Sequence, residues 1–74
     1  MKILPVLSSH KVVKALCRAG FFIKRQSGSH IHLWHDERRT LVTVPSHDEL
    51  ATGTLISIIK QSKMEKDEFL SYLE

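Results

Sequence analysis

The chain has 74 residues, of which 42% are hydrophobic and 26% are charged, and this length predicts a single domain over residues 1–74. Lysines and arginines outnumber acidic residues by 11 to 8, which weakly favours a polyanionic partner. The single cysteine excludes a disulfide framework within the chain and is typical of a reducing compartment. No apolar run approaches the ~20 residues that a membrane span requires, so we expect a cytoplasmic protein that does not bind a membrane.

The N-terminal part predicts an extended segment and then a first helix over roughly residues 9–19. Pro5 disfavours a helix interior within residues 1–7, and Gly20 is placed to end the helix in a left-handed conformation. Good N-cap residues are Ser8 and Ser9. The apolar stripe that we expect to face the core consists of Val12, Val13, Leu16 and Cys17.

The other face of this helix is basic, with Lys11, Lys14 and Arg18 in a line. A row of cations on a helix is most often a solvated surface. The alternative is a ridge that faces the phosphates of a nucleic acid.

The middle of the chain predicts a three-stranded antiparallel meander, because three short β-rich segments follow one another closely. The expected strands are residues 21–26, 29–35 and 40–44, with a turn at Ser27-Gly28, a charged loop at 36–39 and Pro45 at the end of the last strand.

Two helices complete the predicted order. Thr52 is placed to cap a helix over roughly residues 53–61, which we expect to be well buried because it is apolar around much of its circumference. A short last helix is expected over roughly residues 65–73. The order α-β-β-β-α, followed by this short terminal helix, predicts an α+β fold with the helices on one face of the sheet, as in double-stranded-RNA-binding domains.

Five histidines are present, and strand alternation separates those of the second strand. One face carries His30, His32 and Trp34, and the other carries Ile31, Leu33 and His35. Since the two apolar residues are expected to point at the helices, His30 and His32 are expected on the open face of the sheet.

Three interpretations of His30 follow from the residues alone. It is an ordinary surface histidine, or a metal ligand together with His32, or a general acid–base group. A zinc site needs three or four ligands, and the remaining candidates are His47, Asp48 and Glu49.

The neighbours of His30 favour acid–base chemistry on a phosphodiester. Gly28 permits a sharp turn and close approach of a ligand to the backbone. Ser29 adds a hydroxyl and a backbone N–H. Lys24 and Arg25, in the preceding strand, would stabilise charge as it develops on phosphate.

Several short motifs occur in one order along the chain, and together they resemble the HicA family of bacterial and archaeal toxins. The segments AGFFIKRQSGSHIHL, LVTVP and GTLISIIKQS carry the resemblance, which extends from about Val12 to Leu73. The matching positions are Gly20-Phe21, Arg25-Gln26, Gly28-Ser29-His30, Val44-Pro45, His47 and Gly53-Thr54-Leu55. One departure is Lys11-Val12, where the family has an acidic residue early in the first helix.

The resemblance implies a double-stranded-RNA-binding-like fold and an endoribonuclease that cleaves mRNA, blocks translation and needs no metal or other cofactor. It implies that His30 is the catalytic residue, and it assigns no catalytic role to His32, Trp34 or His35. It also implies a HicB-type antitoxin that covers the active face. The expected RNA-binding residues are Lys11, Lys14, Lys24, Arg25, Gly28 and Ser29.

An apolar patch on the open face is the expected antitoxin interface, formed by Phe22, His32, Trp34 and Leu41. The alternatives are that a loop or the N-terminal segment covers part of this patch, or that Trp34 stacks on a base. The rival function is a non-catalytic RNA-binding module that holds structured RNA through the basic first helix and the loop at 36–39.

Overall fold

Six elements follow one another in the computed structural model, which describes residues 4–73. They are α1 (Ser9–Arg18), β1 (Phe22–Ser27), β2 (His30–His35), β3 (Thr40–Pro45), α2 (Thr52–Gln61) and α3 (Lys66–Ser71). This order confirms the predicted α+β fold of the double-stranded-RNA-binding type. The first part of the predicted extended segment, residues 1–3, lies outside the described residues. No helix within residues 4–73 is long and apolar enough to cross a membrane.

Helix α1 begins and ends where the capping signals predict. The Ser8 hydroxyl accepts a hydrogen bond from the backbone N–H of Lys11, and Gly20, with φ +106°, turns the chain towards β1. The buried stripe differs from the prediction, because Ala15 is buried while Cys17 is exposed. At 3.6 residues per turn, Cys17 lies about 140° around the helix from Val12, outside the stripe that faces the sheet.

The three strands form one antiparallel sheet in the order β1-β2-β3. The turn between β1 and β2 is Gly28-Ser29 rather than Ser27-Gly28, because Ser27 still pairs with His30 as the last residue of β1. Gly28 has φ +57°, a conformation that glycine adopts at the first position of a two-residue hairpin loop without steric cost.

The core lies between one face of this sheet and the helices. Leu33, Val42 and Val44 point into it from β2 and β3, and each is fully buried. Helix α1 packs against β1 and β3, and α2 packs against β3. The opposite face of the sheet has no helix on it among residues 4–73, which leaves that face open.

The C-terminal helices correct three predictions. Helix α2 starts at Thr52 with Ala51 at the N-cap, so the Thr52 side chain does not cap it. Ile56 is 41% exposed. The buried stripe of α2 consists of Leu55, Ile58 and Ile59, and Ile56 lies about 100° around the helix from Leu55, on the side towards solvent. Helix α3 is shorter than expected and is anchored by the fully buried Phe69.

Candidate functional site

The open face of the sheet is organised in three rows that run across the strands. Each row consists of one residue of β2 and the residues of β1 and β3 that pair with it. The turn row, next to Gly28-Ser29, is Ser27, His30 and Pro45; the middle row is Arg25, His32 and Thr43; the apolar row is Phe22, Trp34 and Leu41. His30, His32 and Trp34 therefore share one face, as alternation predicts.

A β-bulge in β1 brings two cations to the same side of the sheet. Simple alternation places Lys24 and Arg25 on opposite faces. The register shifts between Ile23 and Arg25, and an extra residue at a bulge re-aims the side chains next to it. As a result, Lys24 and Arg25 both line a groove with His32. No local sequence signal marks this bulge, so it was not predicted.

The groove occupies the middle and apolar rows. Its walls are formed by Lys24, Arg25, His32, Trp34, Leu41 and Thr43. These residues comprise two cations, one imidazole, one hydroxyl and an apolar end, and no acidic side chain is among them. The charge and shape suit a ligand that carries negative charge at one end and apolar or aromatic surface at the other.

His30 stands at the turn end of the open face, as the first residue of β2. It is exposed, and its ring makes no hydrogen bond or ion pair with any residue between positions 4 and 73. The carbonyl of the adjacent Ser29 accepts a hydrogen bond of 2.7 Å from the N–H of Ser46. The turn is therefore tied to the chain that follows β3, while the imidazole next to it is left accessible to a ligand.

His32 is held from one side only. It is half-buried, and its Nδ1 lies 3.1 Å from the Thr43 hydroxyl oxygen. No other hydrogen bond to its ring is present in the described part of the chain. Its Nε2 is thus unbonded in a groove that also holds Arg25 and Lys24.

His35 has a structural role instead. It is buried, its Nδ1 accepts a hydrogen bond from the N–H of Arg38, and its Nε2 lies 3.2 Å from the Ala19 carbonyl oxygen. A carbonyl only accepts, so the proton belongs on Nε2. The Phe21 ring also packs against this imidazole in a T-shaped arrangement, with 4.9 Å between the ring centroids. His35 joins β2 to the end of α1.

Trp34 forms the centre of the apolar row and is fixed in orientation. Its indole N–H donates a 2.7 Å hydrogen bond to Asp36, and the Lys24 ammonium lies 5.1 Å from the centroid of the ring. On either side, Phe22 and Leu41 are each 46% exposed. No loop within residues 4–73 covers this row, so the predicted apolar patch is present as an accessible surface.

The predicted basic residues divide between two surfaces. Lys11 and Lys14 line a separate groove on the helix layer, with Arg18, away from the open face that carries Lys24 and Arg25. His47 is exposed, and its backbone N–H and C=O bond to Ser9. Across residues 4–73, no group of three or more His, Cys, Asp or Glu side chains is arranged to hold a metal ion.

Comparison with known proteins gives one family. A family model described as HicA toxin of bacterial toxin-antitoxin matches residues 9–64, from the start of α1 to just before α3. A search of curated proteins finds no match. The matched segment includes all three strands and therefore every residue of the groove on the open face.

Proposed function

Since the chain belongs to the HicA toxin family of bacterial toxin–antitoxin pairs, we propose that it is an endoribonuclease that cleaves mRNA with His30 as its catalytic residue. The observation that carries the proposal is the position of His30. Its imidazole is exposed and unbonded among the described residues, beside a tight turn and on the same face as the cations Lys24 and Arg25.

The chemistry requires little from the protein, because RNA carries its own nucleophile. The 2′-hydroxyl attacks phosphorus once a base removes its proton, and an acid protonates the departing 5′-oxygen. Neither proton transfer needs a metal. Each is worth roughly 10²–10⁴ in rate, and His30 supplies one of them. Lys24 and Arg25 stabilise the charge that develops on the phosphate oxygens.

The open face of the sheet also binds the RNA in this proposal. The Gly28-Ser29 turn offers backbone N–H groups and a hydroxyl beside His30, and Lys24 and Arg25 supply sequence-independent attraction to the phosphates. Lys11 and Lys14 lie on the helix layer, where they contact a different part of a long RNA. Replacing them weakens binding without removing cleavage.

The partner in this proposal is a HicB-type antitoxin that binds the apolar row and excludes RNA from the open face. Exposed aromatic and aliphatic side chains in one patch are typical of protein contacts, and Trp34 is an anchor of the kind that dominates such interfaces. We expect Trp34→Ala to weaken antitoxin binding by more than about 1 kcal/mol. An unchanged dissociation constant would show that the antitoxin binds elsewhere.

The decisive experiment is cleavage of a defined RNA by the purified chain in the presence of EDTA. We expect the wild type to cleave, His30→Ala to lose cleavage and growth arrest while keeping its fold, and His10→Ala, which changes an exposed histidine on α1, to remain active. Normal toxicity of a well-expressed His30→Ala variant contradicts the proposal. Cleavage abolished by EDTA instead indicates a metal-dependent reaction.

A second arm tests the chemical route and the rival function. RNA with hydrogen in place of the scissile 2′-hydroxyl is expected to resist cleavage; if it is cut, the internal nucleophile is wrong. RNA that is retained but never cut by the wild type indicates a non-catalytic binding module, for which the basic face of α1 and the loop at 36–39 would be the contact surface.

A further inference from the structure

We propose that His32 is the second proton-transfer group of the reaction and that the Thr43 hydroxyl is the positioning group that orients it. The inference rests on the proposed ribonuclease function and adds to it the residue that works with His30. Transesterification of RNA needs a base and an acid at the same phosphate, and His30 fills only one of these roles.

The sheet places the two imidazoles at a suitable separation. His30 and His32 are two residues apart on β2 and face the same side, so their Cα atoms are roughly 6.6 Å apart at ~3.3 Å per residue. His30 lies in the turn row and His32 in the adjacent middle row. A phosphate between the two rows is within reach of both rings and of Arg25, which pairs with His32 across the strands.

The hydrogen bond of His32 suits a group that gains and loses a proton. Its Nδ1 contacts the Thr43 hydroxyl at 3.1 Å, and a hydroxyl both donates and accepts. The contact therefore persists whether the imidazole is neutral or protonated. Nε2 is free of partners within residues 4–73, and the His32 side chain lines the groove, so this nitrogen is available to a ligand in either state.

His35 shows the opposite arrangement. Its Nδ1 accepts from the N–H of Arg38 and its Nε2 faces the carbonyl of Ala19, and neither backbone group can exchange its role. A proton gained at Nδ1 breaks one of these bonds. Of His32 and His35, only His32 can therefore gain and lose a proton while it keeps its hydrogen bond.

Thr43 is itself fixed from the helix layer. Its backbone N–H donates a 3.0 Å hydrogen bond to the Gln61 side-chain oxygen, and the Gln61 amide donates to the Ser57 hydroxyl. Thr43 is β-branched, which restricts its χ1 angle. The orientation of the His32 ring is thus set through Thr43 by helix α2.

The step balances without any further reactant. One imidazole accepts the proton of the 2′-hydroxyl as the 2′-oxygen bonds to phosphorus. The bond from phosphorus to the 5′-oxygen breaks, and the other imidazole, present as imidazolium, donates its proton to that oxygen. The products are a 2′,3′-cyclic phosphate and a free 5′-hydroxyl. The charged groups that face His32 are Lys24 and Arg25 from β1; β3 contributes the neutral Thr43.

The test measures kcat and KM against pH on a short RNA with one cleavable bond, for the wild type, His32→Gln and His10→Ala. Gln keeps a hydrogen bond to Thr43 but transfers no proton. We expect His32→Gln to lower kcat by about 10²–10⁴ with KM little changed, and to remove one limb of the bell-shaped pH profile. His10→Ala should match the wild type. A merely structural role for His32 predicts that His32→Gln stays active, which would overturn the proposal.

Thr43 is tested by a conservative pair of variants. Thr43→Val should lower kcat by about two- to tenfold, the value of one neutral hydrogen bond, and Thr43→Ser should restore it. If Thr43→Val leaves kcat and the pH profile unchanged, the positioning role is wrong.

A substrate with sulfur at the bridging 5′ position separates the roles, because a thiolate leaves without protonation. It should rescue only one of the variants His30→Ala and His32→Gln; rescue of both or of neither contradicts complementary roles.

His47→Ala tests the other candidate for the second proton transfer. If His47→Ala loses one limb of the pH profile while His32→Gln stays active, the role belongs to His47. A wild type that cleaves no RNA overturns the proposed function itself, whereas an active wild type with an active His32→Gln overturns only this inference.

Discussion

Substitution of Gly20 by alanine perturbs the junction between α1 and β1 at two levels. The residue has φ +106°, which L-amino acids rarely adopt, and a Cβ at this position would lie 2.8 Å from His35 Nε2 and 3.3 Å from its Cδ2. The neighbour is a buried ring whose two nitrogens are both hydrogen-bonded. A shift of this ring away from the new Cβ therefore weakens at least one of its hydrogen bonds.

The expected cost is the sum of these two effects. A non-glycine residue in such a backbone conformation costs roughly 1–3 kcal/mol. Displacement of the His35 ring leaves the Ala19 carbonyl or the ring nitrogen unsatisfied, at about 1–3 kcal/mol. We therefore expect Gly20→Ala to lower the free energy of unfolding by about 2–6 kcal/mol, and each kcal/mol lowers Tm by about 4–8 °C in a domain of this size.

Two other glycines provide matched controls. Gly28 also has a positive φ, of +57°, but a Cβ there meets nothing within 4 Å, so Gly28→Ala should cost only about 1–2 kcal/mol. Gly53 lies within α2 and also has open space around it, so Gly53→Ala should stabilise by up to about 1 kcal/mol. Urea and thermal unfolding followed by circular dichroism measure all three. If Gly20→Ala costs no more than Gly28→Ala, the proposed contact with His35 is refuted.

Three further substitutions test the core, a cap and an ion pair by the same unfolding measurements. Leu33→Ala, at a fully buried position of β2, should cost about 2–5 kcal/mol; a smaller loss means that the cavity collapses. Ser8→Ala removes the bond to the Lys11 N–H and should cost about 1 kcal/mol, which Ser8→Asp should largely restore. Glu68→Gln removes the ion pair between Glu68 and Arg38. Because the Glu68 side chain is 35% exposed, we expect the free energy of unfolding to fall by less than about 1 kcal/mol, and by less still in high salt.

The helices show which structural features the local sequence pattern predicts and which it does not. Ser8 and Gly20 bound α1 as predicted, because caps act through atoms within a few residues of each other. The burial of individual positions was predicted less well. Cys17 and Ile56 are apolar in sequence but lie at the margins of their helices' buried stripes. Which margin is covered depends on where a neighbouring element packs, and no local pattern contains that information.

The candidate site divides in the same way. The sequence by itself determined the order of the strands, the sharing of one face by His30, His32 and Trp34, and the family, because strand alternation and ordered motifs are properties of the chain alone. Only the tertiary structure decided which side chains lie beside them. The bulge that turns Lys24 and Arg25 to one side, the Thr43 hydroxyl on His32 and the carbonyl of Ala19 on His35 all come from another strand or from a distant helix end. Such contacts depend on pairing register and packing, which are set when the elements meet.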